Sequence, residues 1–190
     1  MELVQEFTTA GSVQSVLVTD HSKFLILGVN NQIQAYDFAT FMPTMRGTTV
    51  QKLGKLDFLS QKSSGTFIQS IVKLVSPNAE TTPEGLAESI VVGDMTGRGV
   101  STFELKECRQ TKVKIVESAC SHISLWVNSI VALSESQFIV FDHEGNLFIF
   151  QKNLYPTCIE EKLKLTLKAS YCIGEEVQSA AFGSLRSDVL

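Results

Sequence analysis

The sequence predicts an all-β protein built from repeated units of short antiparallel strands. A triplet that reads Val-Gln-Ser or a close variant begins a short apolar strand four times, at residues 13, 68, 127 and 177. The triplets therefore recur every 50 to 59 residues, and self-similarity at such a period indicates a repeat of one supersecondary unit. Runs rich in β-branched and aromatic residues, separated by polar turns, follow each of the first three triplets, as strands do.

Each repeat contains three strand-like runs, the last two joined by a turn. In the first repeat, Asn30-Asn31 joins the second and third runs, and asparagine tolerates the positive φ of a two-residue hairpin turn. Turn residues occupy the matching places at 95–99 and 143–146. The strand-like runs lie at 12–18, 23–29 and 32–38, then 67–75, 89–94 and 100–105, then 123–133, 137–142 and 147–150.

A fourth strand-like run follows each hairpin, at 53–59, 112–116 and 163–168, and 2–7 occupies the equivalent place before the first triplet. Lysine alternates with apolar residues in these runs, so one face is buried and the other faces water. Lysine on an outer strand also protects the exposed sheet edge from pairing with other chains.

Four antiparallel strands in about 50 residues is the pattern of a β-propeller blade. We therefore predict a single partial β-propeller of three four-stranded antiparallel blades, at about 8–59, 66–116 and 122–168, with a flanking strand at each end. Residues 176–190 would begin a further blade. Because propellers typically close with 4–8 blades, we expect the chain to be part of a larger protein.

The composition fits a globular protein and gives no sign of a nucleic-acid surface. Of the 190 residues, 44% are hydrophobic and 19% are charged, with a formal net charge of −4. Modules that bind nucleic acids usually show a basic stripe, so we expect any such contact to be indirect. No apolar run reaches the roughly 20 residues of a membrane span.

Three groups of residues suggest chemistry at first sight, and each has a plainer interpretation. The glycine-rich run 93–99 lacks the Gly-Lys-Ser/Thr ending of a phosphate loop and stands between two strands. Asp142-His143-Glu144 falls where a turn is expected. The cysteines form no Cys-x-x-Cys pair; they are Cys108, Cys120, Cys158 and Cys172. We predict no catalytic residues, no metal and no cofactor.

Trp126, the only tryptophan, leaves two interpretations open. It stands at the start of the first strand of the third blade, where a large aromatic side chain often belongs to the core. Tryptophan is also strongly enriched at the binding hot spots of protein interfaces. The residue is therefore either part of the core or a contact for a partner protein.

Four motifs occur in order along the chain: Ser-Ile-Val-Val-Gly-Asp-Met at 89–95, the Trp126 strand with Leu133, Gly-Asn-Leu-Phe at 145–148, and Tyr-Cys-Ile-Gly-Glu-Glu-Val at 171–177. Together they resemble the C-terminal propeller of a large scaffold family, and the resemblance runs from about Leu3 to Leu185. That family contains the large subunits of the damaged-DNA-binding protein and of the cleavage and polyadenylation specificity factor, and the third subunit of splicing factor 3b.

The resemblance implies site residues as well as a fold. In the ubiquitin-ligase member, the first and third propellers form a cleft for substrate receptors and the second holds the cullin. Trp126 matches an aromatic residue that faces receptors there. Gln178 matches the Asn of the family's Gly-Glu-x-Val-Asn pattern, and Glu176 stands at x, where that member has Phe. The partner-binding residues implied are thus Trp126, Glu176 and Gln178.

The function implied is that of a nuclear, non-catalytic scaffold. One branch would make the chain part of the adaptor of a cullin-RING ubiquitin ligase that acts in DNA repair or on chromatin. Its partners would be a substrate receptor and, through other propellers of the intact protein, the cullin complex. The other branch would make it a nucleic-acid-associated scaffold subunit of an mRNA 3′-end processing or splicing complex.

Overall fold

The repeats form three four-stranded sheets. The computed structural model describes residues 8–19, 24–38, 45–46, 49–50, 57–63, 67–74, 88–108 and 112–181. No helix in these ranges is long and apolar enough to cross a lipid bilayer. The strands are β1 (Val13–Val18), β2 (Phe24–Val29), β3 (Gln32–Asp37), β4 (Met45–Arg46), β5 (Thr49–Val50), β6 (Asp57–Ser63), β7 (Ile68–Lys73), β8 (Glu88–Asp94), β9 (Val100–Cys108), β10 (Lys112–Cys120), β11 (Val127–Ala132), β12 (Gln137–Asp142), β13 (Asn146–Lys152) and β14 (Leu165–Cys172), with a short helix, α1 (Ile159–Leu163), before β14.

The sheet order confirms the predicted partial propeller. Blade 1 has the order β1-β2-β3-β6, blade 2 is β7-β8-β9-β10 and blade 3 is β11-β12-β13-β14. Every neighbouring pair in these blades is antiparallel. A small hairpin, β4-β5, lies between the third and fourth strands of blade 1.

The two predicted flanking strands cannot be followed in full. Residues 2–7 and 182–190 lie outside the described residues. Residues 173–181 are described and contain no strand. The beginning of a further blade at 176–190 therefore stays a prediction.

Some element boundaries differ from the predicted ones for local reasons. The first strand of blade 3 was expected from residue 123, but β11 begins at Val127 because Ser121 holds 121–123 in a turn, where its hydroxyl oxygen accepts a hydrogen bond from Ile123 N. Helix α1 was not predicted, and none of its five residues is buried. An apolar stripe is the main signal of a helix in a sequence, so a helix without one leaves little trace.

Blade 2 is buried on both faces. Ile90 and Val92 of β8 belong to the cluster shared with blade 1, whereas Val91 belongs to the cluster shared with blade 3. A strand buried on both faces reads as a continuous apolar run instead of an alternating one, and this explains the sequence Ile-Val-Val. Phe103 in the first cluster, and Phe138 and Phe150 in the second, are the largest fully buried side chains.

Neighbouring blades are in close contact at two glycines. A Cβ at Gly28 would lie 2.7 Å from Ile68 Cγ2, and a Cβ at Gly93 would lie 2.4 Å from Val127 Cγ1. Each contact brings the first residue of a triplet against the second strand of the preceding blade. In blade 3 the equivalent position, opposite the serine of the triplet, is Phe141.

The repeated triplet is a β-bulge. The register of the first strand against the second shifts between Val13 and Ser15, between Ile68 and Ser70, and between Val127 and Ser129. The middle residue of each triplet is therefore the extra residue that has no partner in the ladder. A bulge turns a side chain away from its regular direction and commonly lies beside functional sites.

An ion pair also links blades 2 and 3. Lys152 Nζ of β13 lies 3.2 Å from Glu104 Oε1 of β9, and Lys106 Nζ lies 3.0 Å from Glu104 Oε2. Burial raises the pKa of Glu104, but the hydrogen bonds and charges of the two lysines outweigh it and hold the pKa below its ordinary value. This contribution to stability is therefore present above the ordinary Glu range and is lost as the pH falls below it.

We predict that Gly93→Ala lowers the free energy of unfolding by about 1–3 kcal/mol, because the added methyl group forces Val127 and blade 3 away from blade 2. Chemical denaturation monitored by circular dichroism measures the change. The double variant Gly93→Ala/Val127→Ala is the control, because it removes Val127 Cγ1, the atom nearest to the added methyl group, and leaves Ile130 Cδ1 at 2.9 Å. If Gly93→Ala costs as much in the Val127→Ala background, the contact with Val127 Cγ1 is not the cause.

Candidate functional site

The candidate site is a pocket of about 330 Å³ between blades 2 and 3. We call it the blade 2–3 pocket, and its lining residues are Met95, Trp126, Asn128, His143 and Glu176. Trp126 and Asn128 flank the first residue of β11, and Met95 and His143 follow the second strands of their blades. The pocket therefore lies where the first strands begin and the second strands end.

The repeat explains why these residues meet. Phe67 and Trp126 each precede a triplet, and the carbonyl oxygens of both accept a hydrogen bond from the residue that follows the second strand of the same blade. The donors are Met95 N at 3.0 Å and His143 N at 2.9 Å. Glu176 precedes the fourth triplet and is the counterpart of Trp126 in sequence. Two consecutive copies of one repeated position thus line the pocket.

Trp126 lies across the boundary between the blades. Its side chain covers Gly97 in the β8–β9 turn, where an added Cβ would lie 2.7 Å from the indole Nε1. Ser124 Oγ donates a hydrogen bond to the carbonyl oxygen of Gly97 and holds the same turn. Trp126 is nevertheless 53% exposed, and Met95 beside it in the pocket is 47% exposed. Of the two interpretations of the sequence, membership of the core is therefore wrong.

Glu176 places a carboxylate at the pocket. Its Oε1 accepts a hydrogen bond from Asn128 Nδ2 at 2.6 Å and lies 2.8 Å from His143 Nδ1. These hydrogen bonds, that of Asn128 first, hold the pKa of Glu176 below its ordinary value, and the Gln178 side chain adds a smaller contribution. The carboxylate is consequently kept in its charged form.

A buried aspartate fixes the turn that carries His143. Asp142 is only 4% exposed, and its Oδ1 accepts hydrogen bonds from Glu144 N at 3.0 Å and Asn146 N at 2.7 Å. The turn interpretation of 142–144 is confirmed by these bonds. Gly145, with φ of +80°, closes the turn in the left-handed region that favours glycine.

The segment after β14 is held against this turn. Ile173 N and Gly174 N donate hydrogen bonds to the carbonyl oxygen of Gly145, at 2.8 and 3.1 Å. These bonds hold residues 173 and 174 against the turn that contains Gly145, and they thereby help to position Glu176. Glu176, at the end of this segment, therefore lines the pocket although it belongs to no strand.

Asp94 fixes the turn of the glycine-rich run in the same way as Asp142 fixes the turn after β12 in blade 3. Its Oδ1 accepts hydrogen bonds from Thr96 N at 2.7 Å, Thr96 Oγ1 at 2.8 Å and Arg98 N at 3.3 Å. The run is thus a turn between β8 and β9, as predicted, and two of its backbone amides, those of Thr96 and Arg98, are bonded to the Asp94 side chain. Met95 is presented from a fixed loop.

The structure brings together two of the three residues that the resemblance implied. Trp126 and Glu176 line the pocket, whereas Gln178 is exposed and is not one of the lining residues; its side chain contributes only to the lowered pKa of Glu176. The sequence reasoning missed Met95, Asn128 and His143. Asn128 could have been found, because it is the middle residue of the third triplet.

The chemistry of the pocket is that of binding. An indole and a thioether offer apolar surface, and a carboxylate with its amide and imidazole donors offers one fixed charge. In the described part of the chain, no three His, Cys, Asp or Glu side chains come together as a metal site. Cys120, Cys158 and Cys172 are free thiols.

We predict that acid releases Glu176 from Asn128 and His143. Because the folded-state pKa of Glu176 is lowered, its bonds persist down through the ordinary Glu range and are lost only at lower pH. Trp126, the only tryptophan, lines the same pocket, so its fluorescence should change as the carboxylate is protonated. The Glu176→Gln variant should lack this transition; a transition unchanged in that variant would assign it to another group.

Comparison with known proteins agrees with the fold. The family model described as the CPSF A subunit region matches residues 2–188. No curated protein shows a match to the chain. The family match covers almost the whole sequence and confirms the resemblance that the four motifs indicated. The chain therefore belongs to the family of the CPSF A subunit region, a family of β-propeller scaffolds that work within larger complexes.

Proposed function

We propose that the chain is part of a non-catalytic nuclear scaffold, the adaptor subunit of a cullin-RING ubiquitin ligase acting in DNA repair or chromatin regulation. In this role the blade 2–3 pocket docks a substrate receptor, and other propellers of the intact protein bind the cullin complex. The observation that carries the proposal is Trp126, a half-exposed tryptophan in a pocket between two blades.

The energetics of Trp126 support a binding role. A tryptophan that is 53% exposed leaves a large apolar area in water, and covering that area is favourable for any partner that fits it. Tryptophan is also among the residues that dominate binding energy at the centres of interfaces. The pocket places such a residue next to a second exposed apolar side chain, Met95.

The rigidity of the pocket supports docking as well. Asp94 and Asp142 tie both turns with side-chain hydrogen bonds, and the 173–174 segment is tied to Gly145. A pre-ordered surface loses little conformational freedom when a partner binds, so more of the contact energy becomes affinity. This is the behaviour expected of a scaffold.

A second candidate is favoured by the description of the family. The CPSF A subunit region carries the name of a polyadenylation factor, and the chain could accordingly serve an mRNA 3′-end processing or splicing complex as a nucleic-acid-associated subunit. The fold and the pocket suit both roles. The net charge of −4 favours contact with proteins over direct contact with a polyanion.

We predict that Trp126→Ala in the intact protein weakens receptor binding by about 2 kcal/mol or more, while the fold is retained because the side chain is already half exposed. Affinity purification from nuclei followed by mass spectrometry identifies the partner, and titration calorimetry with that partner measures the loss. Tyr155→Ala is the matched control, because it removes an aromatic side chain that is 87% exposed and lies in the loop after β13.

The partners recovered decide between the two candidates. A cullin, a RING protein and a receptor would support the ligase adaptor. Polyadenylation or splicing subunits would support the second candidate. Unchanged receptor affinity in a stable Trp126→Ala protein would refute the assignment of the site, whichever complex is recovered.

We further predict that the chain has no direct affinity for nucleic acid. Binding that neutralises phosphates becomes tighter as salt is lowered, and an acidic chain should show no such gain. Filter binding of a single-stranded RNA oligonucleotide at several salt concentrations makes the test. Affinity that rises steadily at low salt would revive the role in RNA processing by direct contact.

A further inference from the structure

We infer that the blade 2–3 pocket selects a protein segment that places an apolar side chain against Trp126 and Met95 and a lysine or arginine beside Glu176. The inference rests on the proposed docking function, and it names the chemistry of the partner. Its basis is the combination of an apolar surface with one fixed negative charge in the same pocket.

The apolar part accepts a side chain of moderate size. Trp126 and Met95 are each about half exposed, although both line the pocket. A volume of about 330 Å³ is at the lower end of the range for ligand pockets. It suits one or two side chains of a peptide better than a large organic cofactor.

The charged part is held in place before any partner arrives. Asn128 Nδ2 and His143 Nδ1 lie 2.6 and 2.8 Å from the same oxygen of Glu176. These groups orient the carboxylate and lower its pKa, so it is ionised at neutral pH. A partner therefore meets an oriented anion and does not have to order it.

The surroundings strengthen the negative charge. Glu144 and Glu175 are exposed on neighbouring turns, and the backbone of Glu175 packs on Gly145, next to Glu144, where an added Cβ would lie 2.9 Å from Glu175 N. In the β8–β9 turn the basic residue is Arg98, which makes an interaction of its own within the chain. The Glu144 and Glu175 carboxylates consequently add negative charge near Glu176 at this end of blade 3.

A neutral apolar partner is disfavoured at this pocket. Such a partner would cover Trp126 and at the same time remove water from an ionised carboxylate without replacing its hydrogen bonds, which is costly. An acidic partner would add repulsion between like charges. A lysine or arginine supplies donors as water leaves, so Glu176 turns a general apolar contact into a selective one.

The test is to select peptides that bind the full chain from a displayed random library. Peptides that bind the Trp126→Ala variant equally well are then removed. We expect the remaining peptides to share an apolar residue with a lysine or arginine nearby. For the best peptide, Glu176→Gln should weaken binding about fivefold. The control Glu160→Gln removes the same charge from α1, on the loop between β13 and β14, and should leave affinity unchanged.

A variant of the best peptide, in which methionine replaces the basic residue, isolates the charge interaction. Glu176→Gln should not weaken the binding of this variant, because the charge pair that the substitution breaks is already absent. Peptides that depend on Trp126 but carry no basic residue, or that bind Glu176→Gln with unchanged affinity, would overturn the inference and leave the docking function intact. If no peptide remains after the removal of those that bind the Trp126→Ala variant equally well, the docking function itself is refuted.

Discussion

The structure depends on the packing of the first strand of each blade against the second strand of the blade before it. Ile68 rests on Gly28 and Val127 rests on Gly93, with no space for a further methyl group at either glycine. This contact fixes where the first strand of each blade begins relative to the second strand of the preceding blade. The bulge follows one residue later, so the turns, the bulged residues and the residues before the triplets stand at one end of every blade. The pocket is a consequence of that alignment.

The pocket also shows how a repeat can produce a site that is not itself repeated. The position before the triplet is Ser12, then Phe67, then Trp126, then Glu176, and the bulged position is Gln14, then Gln69, then Asn128. The backbone arrangement recurs, but only between blades 2 and 3 do an exposed indole and a carboxylate with two donors face one another. Side-chain chemistry has diverged on a constant framework, which is the usual way in which repeat folds acquire individual functions.

The sequence predicted most of the fold because its main signals are local. Residues 137–142 were predicted as a strand, and β12 has the same bounds. Polar turns on both sides mark its ends in the sequence, and its residues alternate in burial. The site was harder to predict. Met95 comes from the second repeat, Asn128 and His143 come from the third, and Glu176 precedes the fourth triplet, so no short-range pattern relates Asn128 to Glu176. Trp126 was singled out by residue type, but its exposure depends on Gly97 and on the turn that Asp94 holds, which only the tertiary structure supplies.

The residues at one repeated position, Gly28, Gly93 and Phe141, have a consequence for how closely neighbouring blades can pack. Blades that meet through glycine can pack closely because no side chain separates them there, whereas a phenyl ring in the same place would act as a spacer. A strand that packed on blade 3 as Val127 packs on blade 2 would have to stand farther out or tilt. The step from blade 3 to a further blade packed on it would therefore differ from the step between blades 2 and 3.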